Sequence, residues 1–277
     1  MECRLENITI NYEVEGRGKP IIIIHGSHVD HRIMTGCMEP IFENMEGYKR
    51  IYLDLPGMGK TKGESWITSV DDMLKTVIDF IDAVIPNENF LLAGESYGGY
   101  LARGIIYIMA DRVDGLFLLC PAVVMEDNKR SVPTHIILKK DDELLSQLDP
   151  SDAEGFSAMS VVQTETIWKR YLKEVISGVK LADNDFIEHL KEEREGAFSF
   201  PVDELTEVYS KPTLVLLGRQ DWCVGYKDAW NILDNYPRAT FAVLDRAGHN
   251  LQIEQEVLFN YLVTEWIARV SESLLDS

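Results

Sequence analysis

Positive charge is scarce in this chain, with 27 Lys and Arg against 46 Asp and Glu and a formal net charge of -19 at pH 7. A surface of that sign repels phosphate backbones and anionic bilayers, so nucleic acid and membrane are excluded as expected partners. No apolar run approaches the roughly 20 residues that a membrane-spanning helix needs. Cysteine is sparse too. Cys3, Cys37, Cys120 and Cys223 lie far apart with no C-x-x-C spacing, which predicts free thiols in a reducing, cytoplasmic compartment. The N-terminal MECRLENITI has no basic region followed by an apolar core, so no signal peptide is expected and the Asn7-Ile8-Thr9 sequon is read as idle. No His/Cys/Glu grouping has metal-ligand spacing and no repeat or low-complexity tract is present, so neither metal nor cofactor is expected.

What is there describes a soluble globular chain. Its 277 residues are 45% hydrophobic and 26% charged, enough for one sizeable core and an insertion. Leu5–Ile10 and Tyr12–Val14 alternate apolar and polar residues before Gly16-Arg17-Gly18, a pattern that reads as an edge hairpin. Ile21 to Ile24 form an apolar run that suits a strand buried on both faces, as parallel sheets require. Further strands are expected at Arg50–Leu53, Phe90–Ala93, Val113–Cys120, Thr213–Leu217 and Thr240–Leu244. Between them, helices are expected near Met38–Met45, over Val70–Val84, from Tyr100 to about Ala110, near Tyr226–Leu233 and over Gln252–Val270. Strand and helix therefore alternate, which means a mostly parallel sheet with right-handed crossovers. From about 122 to 205 the alternation stops. Charged helical segments at Lys139–Leu148, Ser160–Ile176 and Asp183–Glu195, punctuated by Pro133, Pro150 and Gly155, read as an inserted helical lid. The expected organisation is a core of 1–121 and 206–277 with the lid at 122–205.

The pentapeptide Gly94-Glu95-Ser96-Tyr97-Gly98 lies between the strand ending at Ala93 and the helix beginning near Tyr100. By composition alone such a pattern arises in about one chain of this length in ten, so its context must carry the argument. A strand reversing directly into a helix strains the residue at the tip, and the glycines leave room for that turn. Ser96 is thereby lifted to a helix N-terminus, where amide N–H groups favour developing negative charge.

A serine hydroxyl needs a base, and the base needs an orienting acid. Six histidines are available. His249 follows the last strand on a loop at the carboxyl edge of the sheet, where open parallel sheets carry their sites. His135 and His189 fall in the insertion, and His25, His28 and His31 cluster in the first loop. Asp221, on the loop after Thr213–Leu217, is the expected acid; Asp245 is its rival and reads as a solvated loop charge. Asp54, in the Gly-rich run after Arg50–Leu53, reads as tying that loop.

The chain order Ser96, Asp221, His249 is the order of α/β-hydrolases. Together with His25-Gly26-Ser27, Asp54-Leu55-Pro56-Gly57-Met58-Gly59 and Gly218-Arg219-Gln220-Asp221, it resembles the α/β-hydrolase fold superfamily in its lid-bearing, serine-hydrolase branch. The resemblance spans the core and extends to proline iminopeptidases, carbon-carbon bond hydrolases and small-ester hydrolases. It implies an α/β-hydrolase fold, with an oxyanion hole from the amides of Tyr97 and Ser27. The loop HGSHVDH lacks the Gly-Gly-Pro-Gly run common in iminopeptidases. A serine rather than an aspartate at the elbow argues against dehalogenase and epoxide-hydrolase chemistry. Candidate pocket residues are His28, Trp222, Phe156 and Trp168.

The expected function is hydrolysis of a small ester or related acyl substrate through an acyl-enzyme. Carbon-carbon bond hydrolysis and iminopeptidase activity stand as alternatives within enzymes, and non-catalytic ligand binding as the alternative of another class. The expected partner is a small-molecule substrate, with a homodimer left open. As base, His249 should make the rate rise between about pH 5 and 8.

Overall fold

Four consecutive isoleucines leave a strand with no polar face, and in the computed structural model, which describes residues 1–192 and 196–275, they lie at the centre of the sheet. In chain order the strands are β1 (Glu2–Arg4), β2 (Thr9–Gly16), β3 (Lys19–Ile24), β4 (Tyr48–Leu53), β5 (Phe90–Glu95), β6 (Val113–Leu119), β7 (Thr213–Gly218) and β8 (Ala239–Leu244). They form one sheet in the order β1-β2-β4-β3-β5-β6-β7-β8. Pairing is parallel from β4 through β8, while β1–β2 and β2–β4 are antiparallel. The chain runs from β3 out to β4, then returns to the other side of β3 as β5. That reversal opens a crevice beyond the carboxyl ends of β3 and β5, where open α/β sheets place ligands. Ile24 is the register partner of Gly94, so the loops leaving β3 and β5 start from adjacent positions.

Helices cover both faces: α1 (Arg32–Phe42), α2 (Val70–Val84), α3 (Tyr97–Met109) and α10 (Glu256–Leu275). Helix α2 spans the range its periodicity predicts. Val70, Met73, Leu74, Val77, Phe80 and Ile81 are buried, and Ser69 and Asp72 close a reciprocal capping box at its start. On the α10 side, Trp266 is buried against Phe117 of β6 and donates its indole N–H to Pro212 O at 3.1 Å.

Between β6 and β7 the chain is helical rather than alternating: α4 (Asp142–Gln147), α5 (Pro150–Met159), α6 (Glu165–Tyr171), α7 (Ser177–Val179) and α8 (Asn184–Glu192), with one π turn at Leu172–Ile176. The last three residues of the expected Asp183–Glu195 helix lie outside the described residues. The buried Arg103 of α3 pairs with Asp203 and donates to Ala122 O at 2.9 Å, tying both ends of the insertion to one core helix.

Several local expectations are corrected. The expected edge hairpin is present as the antiparallel pair of β1 and β2, but its arms are Glu2–Arg4 and Thr9–Gly16, and β2 passes from pairing Asn11 with Glu2 to pairing Tyr12 with Leu53 of β4. The first helix is α1 at Arg32–Phe42, earlier than Met38–Met45, and accommodates Pro40 inside it. Pro150 opens α5 instead of interrupting, since proline fits the first helical turn and Asp149 caps it; Gly155 lies within the same helix. Near Tyr226–Leu233 the chain forms 3₁₀ turns at Asp228–Asn235, and the final helix is divided at Gln255 into α9 (Leu251–Glu254) and α10.

Candidate active site

Ser96 sits between β5 and α3 with φ 52° and ψ -116°, a conformation that L-residues avoid. The surroundings enforce it. A Cβ on Gly94 would stand 2.3 Å from Gly98 O, and one on Gly98 2.4 Å from Ile24 O, so neither position admits a side chain. Ser96 N–H donates to Leu119 O at 2.9 Å, and its carbonyl accepts from Gly99 at 3.0 Å and Ala122 at 3.0 Å. The strained turn is thus pinned to β6 and to the start of the insertion. Tyr97 is the first residue of α3, so its N–H is one of the helix's free end donors.

His249 arrives on the loop after β8, and its Nε2 lies 2.9 Å from Ser96 Oγ. Its Nδ1 lies 2.9 Å from Asp221 Oδ2, on the loop after β7. The other Asp221 oxygen accepts the N–H groups of Cys223 at 2.9 Å and Val224 at 3.1 Å, which holds the fully buried carboxylate in one orientation. The rival Asp245 is exposed and bonded to Gln220 Nε2 at 2.8 Å.

A second carboxylate reaches the same ring. Glu95 Oε1 lies 3.5 Å from His249 Nε2, and its buried Oε2 has no hydrogen-bond partner. Burial pushes the Glu95 carboxyl up to about 7, against the pull of the imidazole. For His249, burial favours the neutral ring, but the Asp221 carboxylate, its hydrogen bond and the Glu95 charge outweigh it and lift the imidazole to about 9. Sequence reasoning missed Glu95 as a neighbour of His249. Its place between a buried strand and the serine was the available signal.

Above Ser96 opens a cavity of about 770 Å³, bordered by Ser27, His28, Tyr97, Trp222 and His249 as well as Ser96 itself. Met58, Met125, Ile187, Leu190 and Val224 supply its apolar walls. Four of the pocket and oxyanion candidates are therefore brought together: Ser27, Tyr97, His28 and Trp222. Phe156 and Trp168 are not. They pack on each other and on Tyr171 with ring centroids 5.2 to 6.3 Å apart inside the insertion, as part of the hydrophobic core that continues from the sheet into these helices.

The remaining histidines of the first loop are occupied. His25 Nδ1 donates to Gly26 O at 2.7 Å and its Nε2 accepts the Leu55 N–H at 3.0 Å, so burial keeps this ring neutral as a brace. His28 Nδ1 meets Ser27 Oγ at 2.9 Å. Asp54 accepts from His31 Nδ1 at 2.7 Å and from the Lys60 N–H at 2.9 Å, which ties the 54–60 loop. Among the described residues, two groups of three side chains each bring potential ligand atoms within 4.8 Å of one another. One, Cys120 with Asp221 and His249, contains a carboxylate and an imidazole already bonded to each other; the other, Asp30 with His31 and Asp54, is engaged by Arg32 and by backbone N–H groups.

The family model described as serine aminopeptidase, S33, matches residues 18–256. Among curated relatives, the chain is 23% identical to the 2-hydroxy-6-oxo-6-(2'-aminophenyl)hexa-2,4-dienoic acid hydrolase of Metapseudomonas resinovorans, over 95% of this chain and 88% of that protein. It is also 23% identical to the pimeloyl-[acyl-carrier protein] methyl ester esterase of Shewanella sp. (strain MR-7), over 95% of this chain and 96% of that one. Among solved structures, an alpha/beta superfamily hydrolase from Oenococcus oeni PSU-1 superposes with a TM-score of 0.87 at 30% identity, covering 98% of this chain and 99% of that one. No described helix is long and apolar enough to cross a membrane.

Proposed function

The chain belongs to the serine aminopeptidase S33 family of α/β-fold hydrolases, and from that premise we propose that it hydrolyses a small ester or related acyl substrate through Ser96, His249 and Asp221. The observation that carries the reading is the unbroken path from Ser96 Oγ to His249 to Asp221, at 2.9 Å and 2.9 Å, at the wall of a cavity large enough for a substrate. His249 Nε2 takes the Ser96 proton as Oγ attacks the carbonyl carbon. Asp221 holds the ring's tautomer and stabilises the imidazolium. The amides of Tyr97 and Ser27 receive the oxyanion, a donor role whose loss typically costs ~10²- to 10³-fold in rate. Collapse passes the proton to the leaving alcohol and leaves an acyl-enzyme, which water cleaves with His249 again as base. The helices of 122–205 act as a lid whose side chains select the acyl group.

Ser96→Ala in the folded protein is expected to abolish turnover of p-nitrophenyl acetate and butyrate and the covalent labelling by a fluorophosphonate. Undiminished turnover would rule the serine out, and a wild-type chain that neither labels nor turns over would be a binding protein on this fold. A second reading, carbon-carbon bond hydrolysis by the same residues, is favoured by the likeness to the Metapseudomonas hydrolase and by the apolar cavity walls. A panel of short-chain esters, thioesters, prolyl amides and vinylogous diketones separates the two, and the amides test the chemistry the family's description suggests.

A further inference from the structure

Five residues beyond His249, the carboxylate of Glu254 holds two parts of the molecule at once. Its Oε2 accepts the N–H of Gly248, the residue before His249, at 2.6 Å. Its Oε1 accepts the N–H groups of Val161 at 2.6 Å and Val162 at 3.1 Å, in the inserted segment just after α5. Burial pushes the Glu254 carboxyl up to about 7 against the pull of these N–H groups, so above that pH all three bonds are to a carboxylate, and such charge-assisted bonds are about twice as strong as neutral ones. The two segments also lie close, since a Cβ on Gly248 would stand 2.9 Å from Val161 Cγ2 and 3.4 Å from Met159 O. Beside this contact, Arg170 of α6 donates to Gln252 O at 3.2 Å, a second tie, between the insertion and α9, the short helix that follows the histidine loop.

We propose that Glu254 is a positioning residue that sets the reach of His249 toward Ser96 by clamping the histidine loop to the 161–162 segment of the insertion. The inference rests on His249 acting as the base. Its physical ground is leverage: Gly248 is one peptide from His249, and the loop from Asp245 to Asn250 contains no regular secondary structure that would hold the ring by itself. A displacement of about 1 Å in a reacting group costs on the order of 10²-fold in rate. The clamp also means that the insertion carries part of the catalytic geometry as well as covering it.

Glu254→Gln, made in the full chain, keeps the size of the side chain but turns one oxygen into a donor facing an N–H, so one arm of the clamp must open. The expected result is a fall of about 10- to 100-fold in kcat for p-nitrophenyl acetate. That ester is too small to depend on the walls of the insertion, so KM should stay near its wild-type value. Fluorophosphonate labelling should slow in parallel, and the low-field proton signal of the His249–Asp221 hydrogen bond should shift or broaden. A folded variant with wild-type kcat and an unmoved proton signal overturns the proposal. Gly248→Ala tests the same contact without touching the carboxylate, by driving a methyl against Val161. It should lower kcat similarly, and Val161→Ala in that background should restore it; full activity in Gly248→Ala overturns the proposal even if Glu254→Gln fails to fold. Ser96→Ala is the control that separates the layers: if it still turns over, the serine reading fails, whereas a silent Ser96→Ala beside a fully active Glu254→Gln removes the clamp alone.

Discussion

An imidazole that meets Asp221 at one nitrogen and Glu95 near the other releases its proton less readily than one with a single acid behind it. Each nearby negative charge favours the imidazolium, so the neutral base is reached only at higher pH. The rise of kcat/KM with pH, expected from the sequence between about pH 5 and 8, should therefore move upward, toward the value of about 9 to which the two carboxylates lift His249. Glu95→Gln removes one of those charges and should bring the acidic limb down by about one pH unit. A stopped pH–rate series on both proteins checks this, and superimposable limbs would show that Glu95 does not bear on the base. At this scale the meeting of Ser96, Asp221 and His249 was legible, because each follows a strand and the three fall in a recognisable order. Glu95 and Glu254 were not, since nothing in local spacing says which loop a carboxylate will touch. Phe156 and Trp168 pack into the core instead of bordering the cavity, a difference hidden from the sequence because an aromatic in an insertion is equally suited to a pocket wall and to a core.

Helices and strands were legible where periodicity and end signals agree. In α2 the buried stripe, the Ser69 cap and the stop before Pro86 coincide. Because Ser69 accepts the Asp72 N–H at 3.2 Å and Asp72 answers at the Ser69 N–H at 3.1 Å, Ser69→Ala should lower stability by about 1 kcal/mol with no change in kcat. Denaturant unfolding measures the first and ester turnover the second, and an unaltered midpoint would show the box to be idle. Elements went astray where one residue has two grammatical uses. Proline ends helices and also begins them, and at Pro150 the preceding Asp149 decides for the beginning. The edge hairpin was legible but the bounds of its arms were not, because β2 changes partner partway along, from β1 to β4, and strand pairing between distant segments leaves no local trace.

For the molecule as a whole, the acidic excess is a field rather than a contact. With a formal charge of -19, encounter with a positively charged ester should be favoured over a neutral one of equal size, and with an anionic one disfavoured. Raising ionic strength from about 0.01 M to about 1 M shortens the screening length from about 30 Å to about 3 Å. The kcat/KM of a cationic ester should then fall and that of an anionic ester rise. Indifference of both to salt would mean the field does not reach the cavity mouth.

The insertion leaves the sheet after β6 and re-enters at β7, and those two strands are neighbours paired from Leu116 with Thr213 to Leu119 with Leu216. That pairing is parallel, so the chain leaves at the carboxyl end of β6 and returns at the amino end of β7, but Ala122 and Asp203, near the insertion's two ends, are both held by the guanidinium of Arg103. A detour anchored on such close feet can lengthen, shorten or be exchanged for another without stretching the ladder beneath it, at a closure cost that grows only slowly with length. The scaffold is in that sense modular, with one interchangeable cassette seated on a fixed socket, and any transplanted cassette would need to bring amide donors to meet the carboxylate waiting at position 254.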